Sequence, residues 1–413
     1  MILALEMGAT AVVGVLGCTS YRTEATSPSA ARAYVNPHAS DSIGTVREMY
    51  NGALTPELAV HTFRNIDRLF PTRTVPHADR PFPLPRATTT LGNIPFTSGG
   101  STYTRDEYVR LNRVSGLMVL KHGRIAYEWY GFGNTDRTRW MSMSIAKSIT
   151  STLIGAAIRD GAIASLADPV TRYVPGLAGS AYDGVTVRDL LMMASGVRWN
   201  ETYTDPRSDR RRLLEVQIAQ QPGSAVALMR SLPRAAPPGT VNNYSTGETQ
   251  IAGEVVRGAV GKPLAQYLGE TVWRAFGMET DASWWLDAPN GHEIGGSGFS
   301  ATLRDYARFG LFFLNGGVIE GRRILPTGWT TDAGSRQSLA GGRRIDYGYM
   351  WWPAAGAAIN ADAFSAVGIF GQALYINRRE GVVIAQWGAQ TKPTGGEIVN
   401  NDDFFAAVCL ALQ

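Results

Sequence analysis

The chain has 413 residues, of which 44% are apolar and 18% charged, with a formal net charge of +4. That composition excludes a disordered or fibrous chain and leaves room for one large domain with an ample core. Two cysteines exclude a disulfide framework, and no Cys/His spacing suits zinc.

Residues 7–16 are small and apolar, too short for a membrane span, and lead into Gly17-Cys18. The segment resembles a bacterial lipoprotein signal. That assigns residues 1–20 to a signal, makes Cys18 an acylated anchor and implies a cell-envelope protein, periplasmic or membrane-anchored. It departs from the usual pattern in having Glu6 and no Lys or Arg ahead of the apolar run. A plain apolar tail or a mis-assigned start, with a cytoplasmic location, are the competing readings.

Residues 21–111 read as a linker and arm. The chain is rich in Ser, Thr and Ala to about residue 40, then shows a short helical pattern over 55–69. Pro71, Pro76, Pro81, Pro83, Pro85 and Pro95 then exclude a regular helix and predict an extended arm wrapped on the domain.

From Val114 the texture changes. Residues 114–120 and 125–130 predict a strand, a turn holding His122, and a second strand, with the histidine merely exposed. Next comes Ser144-Ile145-Ala146-Lys147, where small polar residues open a helix whose apolar face carries Ile149, Leu153, Ala156 and Ala157. Three residues is nearly one turn, so the hydroxyl and the amine share a face and can act as nucleophile and base. A first-turn position and burial both disfavour the ammonium form and lower the lysine pKa. A solvated Ser and Lys on an ordinary helix would satisfy the same spacing, so later segments must decide.

Residues 162–290 read as mostly helical, with segments opening at Asp168-Pro169-Val170 and Thr186-Val187-Arg188-Asp189, and with Met192-Met193 as core filler. Arg210-Arg211-Arg212 reads as a solvated loop or helix face, not a nucleic-acid patch, so no nucleic-acid partner is expected. Pro237-Pro238-Gly239-Thr240 fixes a turn before Asn243-Tyr244-Ser245-Thr246, which leads into a helix over 248–258. A tyrosine at such a junction either presents its phenol to a cleft or packs.

Gly295-Gly296-Ser297-Gly298 is no nucleophile elbow, because G-x-S-x-G is absent. An amphipathic helix over 302–314 follows it. Strand patterns then fall at 347–352, 364–371, 373–377 and 382–387, and a closing helix at 402–412. Of the tryptophans at 140, 199, 284, 285, 351 and 352, most are expected in the core. Strands at both ends with helices between predict an α+β fold, a mixed α/β class. Its antiparallel sheet is built from both chain ends and flanked by helices, with an all-helical insert over about 162–290. Ser144 would lie between the two parts, where pockets form.

Several segments together resemble one family. Ser144-Ile145-Ala146-Lys147 matches an S-x-x-K element, and Tyr244-Ser245-Thr246 occupies the place of Y-x-N. Val187-Arg188-Asp189-Leu190-Leu191 through Ala194-Ser195-Gly196, Pro237-Pro238-Gly239-Thr240 and residues 300–317 agree as well. Over about residues 112–412 the chain resembles the serine β-lactamase-related hydrolases: class C β-lactamases, D-alanyl-D-alanine carboxypeptidases, family VIII esterases and 6-aminohexanoate-dimer hydrolase. The family's K-T-G element has its counterpart in Ala366-Val367-Gly368, where the glycine is kept and the lysine is lost. With Thr246 replacing asparagine, this moves the expectation from β-lactam hydrolysis toward amide-dimer hydrolase and esterase chemistry.

The resemblance implies an acyl-enzyme on Ser144, with Lys147 and Tyr244 sharing the proton transfers. Which of the two is the base is left open by their coupled pKa values. It also implies an oxyanion hole from the backbone N–H groups of Ser144 and Ile369, and substrate contacts at Thr246, Gly368 and Phe370. The expected partner is a small amide or ester, with no metal or organic cofactor. The alternatives are a D-alanyl-D-alanine carboxypeptidase or β-lactamase, and a non-catalytic binder of envelope fragments.

Growth with a labelled fatty acid is expected to label the protein. An unlabelled wild type, or label retained by Cys18→Ala, would overturn the anchor.

Overall fold

The computed structural model describes residues 33–413, so the signal-like segment and Cys18 lie outside the described residues. The larger sheet has six strands in the order Trp352–Pro353, Ala363–Gly368, Gln372–Asn377, Val382–Gly388, Val114–Lys121, Arg124–Tyr130, every neighbour antiparallel. Strands from both ends of the chain therefore meet at its centre, where Val383 faces Leu120 and Ala385 faces Met118. Alternation along Val114–Lys121 sends Met118 and Leu120 to one face and Leu117 and Val119 to the other. Both faces are covered. Helix Asn401–Ala411 lays Phe404, Phe405 and Val408 on one, and helix Leu303–Leu314 packs on the other.

A second, four-stranded antiparallel sheet runs Thr72–Val75, Ala282–Trp285, Phe299–Thr302, Arg139–Met141. Its edge strand comes from the Pro-rich arm. Prolines forbid a helix there, and the arm finds its backbone partners elsewhere: Ala78 N donates to Met278 O at 3.0 Å, Phe82 N to Gly277 O at 2.7 Å and Ala87 N to Ile125 O at 2.9 Å. The 55–69 pattern is helix Pro56–Phe63, capped by Thr55, followed by a 3-10 turn at Ile66–Arg68. In sequence between the strands of the second sheet, residues 162–281 hold helices, the longest being Thr246–Val260; the all-helical insert expected to about 290 ends earlier, because Ala282–Trp285 is a strand paired with Thr72–Val75 and Phe299–Thr302.

Two local expectations change. Residues 347–351 form no strand; Met350 takes a left-handed φ of 61° and the segment bends, so that only Trp352–Pro353 pairs. The bend turns Tyr349 O and Met350 O toward the hydroxyls of Ser151 (2.7 Å) and Ser148 (2.6 Å) on helix Ile145–Arg159. The arginine run is not a solvated face either. Arg210 and Arg211 are buried, held by Tyr50 and by Asn51 respectively, and only Arg212 is exposed.

Asp305 ties the second sheet to the first. Fully buried, it accepts from Glu279 N at 2.7 Å and Thr280 N at 3.0 Å and pairs with buried Arg308 at 2.8 Å. Asp305→Ala takes the acceptor from two buried amides and one of two carboxylates from Arg308, which keeps Glu279 at 3.0 Å, and should cost about 3 kcal/mol in denaturant unfolding. A loss under roughly 0.5 kcal/mol would refute the clamp.

Candidate active site

Strand Arg139–Met141 delivers the chain to Ser144, which opens helix Ile145–Arg159. Met143, the residue before it, has φ 43°, a strained left-handed turn that aims the Ser144 side chain out of the strand–helix corner. The helix is buried from Ile145 through Ala157, so its polar side chains need partners inside the protein. Lys147 is 1% exposed; its Nζ stands 2.9 Å from Ser144 Oγ and donates to Gly296 O at 2.9 Å. Burial drives its pKa down to about 7; the carboxylate of Glu201 pulls the other way and Arg210 adds a smaller downward push.

Tyr244 sits just ahead of helix Thr246–Val260, on a loop stapled from both sides. Asn242 Nδ2 donates to Met192 O at 2.7 Å, Asn243 N to Met193 O at 2.8 Å and Asn243 Nδ2 to Trp199 O at 3.1 Å. Ser245 caps the helix by accepting from Glu248 N. The Tyr244 ring lies 5.3 Å from Lys147 Nζ and is flanked by Tyr347 and Trp352. Burial pushes its phenol well above the ordinary range and Glu201 adds to this, while a hydrogen bond with the Ser144 hydroxyl opposes both. At neutral pH the Tyr244 phenol therefore keeps its proton.

Strand Ala363–Gly368 ends against the nucleophile. A Cβ on Gly368 would lie 2.5 Å from Ser142 O and 3.1 Å from Ser144 N, so only glycine fits. The expected strand over 364–371 stops here, because Phe370 (φ 68°) and Gly371 (φ 91°) turn the chain. Neither Ser144 N nor Ile369 N donates to a protein acceptor among the described residues, which leaves two amides available to an oxyanion. Gln372 fixes this turn, accepting from Trp140 Nε1 at 3.0 Å and donating to Gly388 O at 2.8 Å.

Ser144, Tyr244, Gly368 and Ile369 line a cavity of about 590 Å³ together with Glu201, Tyr203, Trp352 and Val367. Two expected contacts fall elsewhere. Phe370 is fully buried with its ring on Phe63 at 4.9 Å, because the turn points it into the core. Thr246 is buried behind the cavity wall and is not part of the lining, its hydroxyl donating to the lining residue Glu201. Of the six tryptophans singled out, Trp352 alone reaches the lining.

The profile of the Beta-lactamase family matches residues 112–403. The chain belongs to the beta-lactamase family. Within that family it is 30% identical over 296 residues to the 6-aminohexanoate-dimer hydrolase of Paenarthrobacter ureafaciens, spanning 67% of this chain and 73% of that protein. A Bacillus anthracis structure provisionally described as a 6-aminohexanoate-dimer hydrolase superposes with a TM-score of 0.74 at 24% identity, over 90% of this chain and 98% of that one. A family VIII carboxylesterase gives a TM-score of 0.53 at 19% identity, over 71% and 90%. The last two show the fold alone; the family profile and the first relative place this chain among the hydrolases of the beta-lactamase family.

Two features of the site escaped the sequence. Gly296 O, in a loop noticed only for lacking an elbow, holds the lysine. Glu201, given no role above, lies at the cavity wall. Gly368→Ala is expected to lower kcat/KM for a p-nitrophenyl ester by at least about 100-fold, the scale of a lost oxyanion donor, with the fold intact by circular dichroism. Unchanged turnover would refute the close approach.

Proposed function

We propose that the protein is a serine hydrolase that forms an acyl-enzyme on Ser144 and cleaves small amides or esters. The observation that carries this is a buried amine with a pKa near 7, 2.9 Å from a hydroxyl that opens into a cavity shared with a protonated tyrosine.

Above about pH 7 the neutral Lys147 takes the Ser144 proton as Oγ bonds to the carbonyl carbon. The carbonyl π pair moves onto its oxygen, which the N–H groups of Ser144 and Ile369 hold. Collapse breaks the bond to the amine or alcohol. That leaving group takes a proton from the Tyr244 phenol, and the Lys147 ammonium returns one to the phenolate. Water then adds to the acyl-enzyme by the reverse path, and Ser144 leaves with its proton. Tyr244 is written as the acid because burial holds its proton tightly, whereas burial loosens that of Lys147.

The lining supports uncharged acyl groups. Among the described residues it contains Glu201 and Glu397 but no arginine or lysine, so a substrate carboxylate would meet repulsion and no partner. That weighs against penicillin-type substrates and agrees with Ala366 standing where the family has lysine.

A fluorophosphonate probe is expected to label the wild type and not Ser144→Ala, and ester turnover should rise through an acid limb near pH 7. Folded wild type that stays unlabelled, or labelling that survives Ser144→Ala, would sink the reading.

A further inference from the structure

We propose that Glu201 is a positioning residue of this reaction: its carboxylate locks the start of the Tyr244 helix to the loop behind the cavity and balances the charge of the Ser144–Lys147 pair. The inference rests on the serine hydrolase reading above and adds a residue to it.

The geometry is that of a built device. The Glu201 side chain is 14% exposed and reaches the cavity wall from residues 199–204, outside both helices that carry the reacting groups. It accepts from Trp199 Nε1 at 2.5 Å and from Thr246 N at 2.9 Å, and the Thr246 hydroxyl donates to its other oxygen. Thr246 is the first residue of the helix whose preceding residues present Tyr244. A carboxylate on an amide at a helix start satisfies an otherwise orphan donor and suits the positive end of the helix dipole. Glu201 therefore ties the helix start, two residues after Tyr244, to the loop that carries Trp199.

Its charge has a counterweight. Arg210 Nε stands 4.0 Å from Glu201 Oε1, and Arg210 is itself buried against Tyr50. The other titratable groups around the pair are Lys147, Tyr244, Tyr203 and Tyr347, with Glu397 in the same lining. Glu201 favours the ammonium of Lys147 and disfavours the phenolate of Tyr244, and Arg210 does the reverse at both. Without Glu201, Lys147 would lose its proton at a lower pH and become a weaker base. The opposing carboxylate keeps the amine basic enough to accept the serine proton close to neutral pH.

The test is the pH dependence of kcat/KM for a neutral p-nitrophenyl ester in the full-length protein. Glu201→Gln can still accept from Thr246 N but carries no charge. Its acid limb should move to lower pH by roughly half to one unit. Glu201→Asp keeps the charge and should lower the plateau without that displacement. Arg210→Gln should move the limb to higher pH. A purely structural role would lower plateaus and leave every limb in place, and that result overturns the proposal.

Nitrogen NMR of the four lysine side chains reads the same quantity without turnover. The Lys147 midpoint should fall in Glu201→Gln and rise in Arg210→Gln, and midpoints matching the wild type in a folded variant overturn the proposal. Wild type that turns over no ester but shows these displacements would instead defeat the hydrolase reading alone.

Discussion

Lys147 carries its amine in a place where an ammonium ion has little to recommend it. The side chain is almost wholly enclosed, and its two close partners are the Ser144 hydroxyl and the Gly296 carbonyl. A fall in pKa from 10.5 to about 7 corresponds to on the order of 5 kcal/mol of bias toward the neutral amine. That bias makes the amine available as a base, and it lasts only while water is excluded. The surrounding helix is accordingly buried on all sides, which an ordinary amphipathic helix is not. Three of its other polar side chains are bolted to carbonyls outside the helix: Ser148 to Met350, Ser151 to Tyr349 and Thr150 to Gly295. Each bolt spends a strand or loop carbonyl that would otherwise need a partner.

The two sheets meet at this amine. The smaller one delivers Ser144 through Arg139–Met141, and the larger one delivers Gly368 and Ile369 through Ala363–Gly368. Gln372 and Trp140 couple them, because the indole N–H of one sheet donates to the amide oxygen of the other. The same amide oxygen accepts from Gly388 N, so the turn that offers Ile369 N is held from two strands. Preorganised donors of this kind stabilise developing negative charge without having to reorganise when it appears.

How much of this could be read beforehand depended on whether a feature was local. The strand pair at 114–130, the lysine one turn after Ser144 and the tyrosine at a stiffened loop–helix junction all follow from short-range rules, and all three lie where those rules put them. The strand over 347–352 failed because its backbone is claimed by helix Ile145–Arg159, a contact some 200 positions away in sequence. Burial of Arg210 and Arg211 was illegible for the same reason, since charge alone predicts solvent and only the fold brings Tyr50 and Asn51 alongside. Phe370 is a subtler case. It was expected to touch substrate, but the residue takes a left-handed φ, its ring packs on Phe63 and it is not part of the cavity lining.

The lost K-T-G lysine can be understood from the sheet itself. Ala366 is fully buried in the core of the larger sheet, while its neighbour Val367 is 42% exposed and belongs to the cavity lining. A lysine at 366 would have to fit a long cationic stem among close-packed side chains where alanine is fully buried, at a cost in packing and desolvation. With no Lys or Arg in the lining among the described residues, the proposed reaction would draw its substrate recognition from apolar contact with Val367, Ile369, Trp352 and the tyrosines, together with the two free amides. Apolar contact binds ground state and transition state about equally, whereas the amides act only once charge appears on the carbonyl oxygen. On the serine hydrolase reading proposed above, that division of labour favours a tolerant pocket: shape and greasiness would admit the substrate, and the fixed backbone dipoles with the amine–phenol pair would act on the carbonyl whatever the acyl group.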